Sequence, residues 1–164
     1  MKTLYLVRHA KSSWDHPELK DIERPLIDSG ITKTKKIIGH FNKKQVTAGL
    51  IISSPAVRAL ETARLIAEGI AYPVEKIRIE QAIYEAAVDD YIDVITTCPD
   101  EVSSLMIFGH NPTITYVANF FLSKKIELVP TSGVVSVTFD TDQWSGITEI
   151  KPSKESVIFP KMLK

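Results

Sequence analysis

The chain has 164 residues, with 20 Lys+Arg against 20 Asp+Glu, so its formal net charge at neutral pH is zero. Proteins that bind polyanions or lie on membranes carry a basic excess or a basic face, so neither nucleic acid nor membrane is an expected partner. At 44% apolar and 24% charged the composition is that of an ordinary globular chain, and this length buries roughly 70% of its unfolded surface, enough for a single domain over residues 1–164.

The single cysteine, Cys98, excludes an intramolecular disulfide and any Cys-pair metal site, and reads as a small semi-buried hydrophobe. Met1–Val7 is apolar for too few residues to form a signal-peptide core, and no run approaches a membrane span of ~20 residues. A cytoplasmic protein is the expectation.

Leu4–Val7 is a short apolar run bounded by charge, the pattern of a buried strand. Asp28–Ser29–Gly30 opens a helix with Ile31, Thr34, Ile38 and Phe41 on one face. Leu50–Ile52 is a second buried strand. Ser54 offers an N-cap and Pro55 a first helical residue, which predicts a helix from about Ala56 to Ala67.

Ile77–Ile79 is a weaker strand, and Val88, Tyr91, Ile92 and Ile95 mark a helix that ends before Pro99. Leu105–Phe108 is a third strong strand. Asn111–Pro112 repeats the cap-then-proline pattern before a helix to about Phe121. Val134–Phe139 alternates as a half-exposed strand, with Ile147–Ile150 as its hairpin partner across Asp140–Gly146. Strand and helix alternate for most of the length, which predicts an α/β fold with a mainly parallel sheet covered on both faces and an antiparallel edge.

Three strands end alike. The first runs into Arg8–His9, the second through Ser53–Ser54 into a helix carrying Arg58 in its first turn, and the third through Gly109 into His110. Ligands of open parallel sheets bind outside the carboxyl ends of the strands, so these segments can share one crevice. A cation in the first turn of a helix opposes the helix dipole, and a bound anion reconciles the two. His9, His16, His40 and His110 show no metal-ligand spacing, and Arg8 and Arg58 would repel a metal. No metal and no cofactor are expected. His16 and His40 read as solvent-facing. Lys33, Lys35, Lys36, Lys43 and Lys44 read as a solvated helix face, with a docking surface for an acidic partner as the alternative.

These residues carry a family pattern. LYLVRHAKSSWD (Leu4–Asp15) resembles the first motif of the histidine phosphatase superfamily, SSPAVRALETA (Ser53–Ala63) its second and GHNPT (Gly109–Thr113) its third, in the family's order. The short length, IERPLIDSG (Ile22–Gly30) and Ser132–Gly133 resemble its SixA-like phosphohistidine phosphatases. The resemblance implies a three-layer α/β/α sandwich of the phosphoglycerate mutase-like kind. It implies metal-independent hydrolysis through a phosphohistidine on His9, with Arg8, Arg58 and His110 around the phosphate. Ser12 of the first motif is placed with them as a substrate-binding residue, and Glu85, in IYEAAVDD (Ile83–Asp90), stands where relatives have a proton donor.

Ala10 and Asp15 depart from the family's usual glycine and asparagine. A carboxylate would repel the phosphate dianion, so Asp15 is expected to point elsewhere. The short stretch from Glu85 to Leu105 leaves little chain for a lid, which suits a phosphorylated side chain presented by another protein. The expected activity is therefore a protein phosphohistidine phosphatase with phosphate or sulfate fitting its pocket. The alternatives are a phosphatase of small phosphoesters or phosphoamides, and a non-catalytic phosphate-dependent binding module.

Overall fold

The computed structural model describes residues 1–164. Its strands are β1 (Lys2–Arg8), β2 (Leu50–Ser53), β3 (Arg78–Ile79), β4 (Ser104–Gly109), β5 (Val134–Phe139) and β6 (Lys154–Ile158). The helices are α1 (Asp28–Lys43), α2 (Val57–Gly69), α3 (Val88–Thr96) and α4 (Thr113–Phe121). One sheet of order β3-β2-β4-β1-β5-β6 holds all six strands. The first four in that order are parallel, while β5 pairs antiparallel with β1 and β6 antiparallel with β5.

Successive strand side chains point to opposite faces, and parallel strands need both faces covered. Leu4 and Leu6 enter a core with Tyr91 and Ile95 of α3 and Ile114 and Val117 of α4. Val7 packs on the other side with Ile37 and Phe41 of α1 and Ala63 and Ile66 of α2. The result is the expected three-layer α/β/α sandwich, mainly parallel with an antiparallel edge. No helix is long and apolar enough to cross a membrane.

Several local expectations need correction. The partner of β5 is Lys154–Ile158, and Ile147–Glu149 forms a 3-10 turn instead. Trp144 decides this: its indole Nε1 donates to the Val102 carbonyl (2.8 Å) and its backbone N–H to Asp100 Oδ1 (2.9 Å), so the segment is pinned under the α3–α4 core, where Ile147 is buried. The buried face of α1 is Gly30, Thr34, Ile37 and Phe41, turned slightly from the expected stripe. Gly30 lies against the Lys11 backbone, where a Cβ would meet the carbonyl oxygen at 2.5 Å, so glycine lets this helix approach the loop after β1.

Neither predicted cap serves as one. Ala56 caps α2, while Ser54 Oγ accepts the Ala56 N–H and faces His110. Pro112 occupies the cap position of α4, and Asn111 uses its side chain elsewhere. Cys98 is buried, and desolvation pushes its thiol up to about 11, in keeping with an inert hydrophobe.

Candidate active site

The sheet brings the three motif strands side by side. β4 lies between β2 and β1, with Arg8 opposite Gly109 and Ser53 opposite Phe108. Their carboxyl ends therefore deliver Arg8–His9, Ser53–Ser54 and His110 to one edge. A crevice of about 440 Å³ opens there, lined by Arg8, His9, Arg58 and His110 together with Ser12 and Asn111. Lys11, Arg24 and Lys33 add to its cations, Trp14 and Thr131 complete it, and no carboxylate lines it.

His9 is buried and held from two sides. Its Nδ1 donates to the Ala10 carbonyl at 2.7 Å, which fixes the proton on Nδ1 and leaves the lone pair on Nε2. The Ala10 N–H donates to Thr62 Oγ1 (2.9 Å), and Thr62 in turn donates to the Arg58 carbonyl (2.7 Å), so α2 clamps the loop that carries His9. Ser132, at φ 60°, donates its N–H to the carbonyls of Arg8 and His9. Burial pushes the His9 imidazolium down to about 3, with His110, Arg58 and Arg8 adding to the effect against the bond to Ala10. Desolvation is the largest of these causes, ahead of the two arginines.

His110 follows the same logic and is pushed down to about 4, first by burial and then by Arg58. Its Nε2 lies 2.7 Å from Ser54 Oγ, and its ring centroid lies 5.2 Å from that of His9. The Tyr91 hydroxyl accepts the His110 N–H at 3.2 Å. Gly109 is required beside it, because a Cβ there would run into that hydroxyl.

The two arginines keep donors in reserve. Arg8 gives one N–H to the Val129 carbonyl (3.2 Å), a carbonyl that Asn111 Nδ2 also engages (2.8 Å). Arg58 gives one to the Asp21 carbonyl oxygen (2.7 Å) and one to Asp21 Oδ2 (3.0 Å). A guanidinium has five N–H donors, so most of Arg8 and three of Arg58 remain uncommitted. Arg8 Nε, Arg58 Nε and His110 Nδ1 are the buried side-chain polar atoms of the chain that lack a partner. Unsatisfied buried polar atoms are rare and call for an explanation. Here all three belong to residues lining one crevice, and the chemistry they share is binding of an oxyanion.

Asp21 is a partner of Arg58 that sequence reasoning missed. It accepts from Arg58, from Arg24 Nε (3.1 Å) and from the Tyr84 hydroxyl (2.8 Å). Burial works to raise its carboxyl, but Tyr84, Arg58 and Arg24 outweigh that and hold it below its ordinary range. The dipole conflict at Arg58 is thus already partly relieved by the chain's own carboxylate. Arg24 also stacks on Trp14, with 3.6 Å from the guanidinium carbon to the ring centroid. Trp14 is exposed, whereas Trp144 is fully buried.

The remaining predicted residues divide. Ser12 is buried at the crevice wall. Asp15 is exposed and outside the lining, and His16 is an exposed loop residue near Glu18. Glu85 is exposed, takes φ 54° and does not line the crevice. It adjoins Tyr84, whose ring centroid lies 5.7 Å from that of His110.

Comparison with known proteins identifies the family and the fold. The model of the histidine phosphatase superfamily (branch 1) matches residues 4–93. An uncharacterised protein of Mycobacterium leprae is 34% identical over 117 residues, covering 68% of each chain. One from Mycobacterium tuberculosis is 30% identical over 138 residues, covering 78% of this chain and 84% of that one. Among solved structures, SixA from Agrobacterium tumefaciens is 27% identical with a TM-score of 0.73, covering 83% of this chain and 90% of that one. The protein histidine phosphatase SixA complexed with tungstate has a TM-score of 0.83 at 20% identity over 99% of both chains; at that identity the likeness is one of fold.

Proposed function

The chain belongs to the histidine phosphatase superfamily and is a phosphatase, and from that premise we propose that it removes the phosphoryl group from phosphohistidine on a partner protein. The carrying observation is the crevice itself: a neutral His9 with its Nε2 lone pair free, surrounded by unsatisfied guanidinium donors and no carboxylate.

In this reading His9 Nε2 attacks phosphorus in line, forming an N–P bond as the bond to the leaving imidazole breaks. The proton stays on Nδ1, and its hydrogen bond to the Ala10 carbonyl stabilises the charge that develops on the ring. Arg8 and Arg58 hold the non-bridging oxygens with their free donors, which is the electrostatic stabilisation that phosphoryl transfer needs most. Ser54 Oγ already accepts the Ala56 N–H. It donates its own proton to His110 Nε2, leaving the Nδ1–H of His110 as a further donor, and Ser12 adds its hydroxyl. Water then attacks the phosphoenzyme, the N–P bond breaks, and phosphate departs while Nε2 regains its lone pair. No step calls on a metal or a cofactor. Glu85, outside the crevice lining but next to Tyr84, is the proposed donor of a proton to the leaving group, recovering it from the attacking water.

A phosphorylated protein side chain is favoured over small phosphoesters because the crevice is open and the β3–α3 connection is too short to form a long lid. The Agrobacterium SixA is described as a phosphohistidine phosphatase and the tungstate-bound SixA as a protein histidine phosphatase, and tungstate is a tetrahedral oxyanion. The test is kcat/KM on a histidine-phosphorylated protein against a panel of sugar phosphates. A preference of two or more decades for the phosphohistidine protein is expected, and a reversed preference would overturn the substrate assignment.

A further inference from the structure

A second groove, of about 730 Å³, adjoins the crevice and shares Lys33 and Thr131 with it. It lies between α1, the segment 126–131 and the turn at 159–161. Ile126, Leu128, Phe159 and Pro160 give it an apolar lining, and Leu128 is 52% exposed. Its charged residues are Lys33, Lys36 and Lys161 against one carboxylate, Glu127. None of these lysines forms an ion pair within the chain. The excess of positive charge continues into the crevice through Lys11 and Lys33.

One phosphoryl group is served by Arg8, Arg58 and His110. The unpaired lysines and the apolar strip beside them exceed what that group requires. In a chain of zero net charge, a local basic track leading to the reaction centre selects an anionic partner and speeds its encounter. An apolar strip set among those lysines selects a polypeptide over a small anion.

We propose that this groove docks the substrate protein through an acidic segment carrying apolar side chains next to its phosphohistidine. The proposal rests on the reading of the crevice as a phosphohistidine phosphatase site. Lys33, Lys36 and Lys161 face the acidic residues, and Leu128 and Phe159 take the apolar ones.

The test uses two phosphohistidine peptides of equal length and leucine content, one flanked by Asp and Glu and the other by Lys. Phosphoramidate serves as a small substrate that occupies only the crevice. The wild-type protein should prefer the acidic peptide by about tenfold in kcat/KM at low salt, with the preference shrinking at high salt. Lys36→Glu with Lys161→Glu should lower kcat/KM for the acidic peptide about tenfold and raise it for the basic one, leaving phosphoramidate within about twofold. Both substitutions are on exposed side chains. Equal rates on the two wild-type peptides would overturn the docking proposal alone. Turnover of phosphoramidate with neither peptide cleaved would remove the substrate reading and the docking proposal with it. A dimer that the double variant dissociates, with peptide preference unchanged, would assign the groove to a second copy of the chain and likewise overturn it.

Discussion

Taking the protein from pH 8 to pH 5 should remove about 4 kcal/mol of folding stability through His9 and His110 together. Burial holds their imidazolium forms down to about 3 and about 4 in the folded state, while an unfolded histidine titrates near 6.5. Between those values the unfolded chain binds a proton that the folded chain refuses, so stability falls as pH falls. At pH 5 an unfolded imidazole is protonated by roughly 30 to 1, about 1.5 decades, and each decade is worth 1.36 kcal/mol, or about 2 kcal/mol per histidine. The loss begins below about pH 7 and stops growing once the folded histidines also titrate, near pH 4 and pH 3. Urea unfolding at pH 8 and pH 5 measures it, with His9→Asn/His110→Gln as the reference that keeps ring-nitrogen hydrogen-bonding positions without titrating. Carboxylates contribute equally to both proteins, so the difference between them isolates the histidines. Equal acid sensitivity in wild type and variant would refute the claim that both rings are held neutral by burial. Saturating phosphate should shrink the difference, because a bound anion favours the imidazolium.

Two further expectations concern the surroundings of the crevice. Asp21→Ala should lower kcat/KM about tenfold, because Arg58 loses a charge-assisted bond worth about 1.5 kcal/mol that fixes its fork; steady-state kinetics with unchanged activity would show that Arg58 is positioned without it. Glu85→Gln should slow phosphoester hydrolysis by roughly 10²-fold or more but phosphohistidine hydrolysis far less, since imidazole leaves more readily than an alkoxide. Equal losses on the two substrates would remove Glu85 as the proton donor.

What the sequence disclosed was what depends on local pattern. The buried strands were legible because apolar runs end sharply in charge, and parallel order then forces Arg8–His9, Ser54 and His110 to one edge. Asp21 was not legible. It lies in a one-turn segment without periodicity, and its role exists only because α2 and the Tyr84 loop approach it in three dimensions. Ser54 and Asn111 carry cap-like sequence patterns, yet both side chains are used around the crevice, Ser54 on His110 and Asn111 on the Val129 carbonyl that also anchors Arg8. Local propensity gave way at the positions where the site needed a polar atom. The misplaced final strand has a different cause. Ile147–Ile150 is more apolar than Lys154–Ile158, but an edge strand can expose a charged face, and Trp144 had already committed Ile147 to the core.

The central claim is that His9 takes the phosphoryl group covalently. Rapid quench in alkaline denaturant of the protein with a ³²P-labelled phosphohistidine substrate, followed by alkaline peptide mapping, tests it most directly. The structure predicts an acid-labile, alkali-stable label on His9 that turns over at the catalytic rate and is lost, with activity, in His9→Ala. Wild-type turnover by His9→Ala, or a label on any other residue, would contradict it.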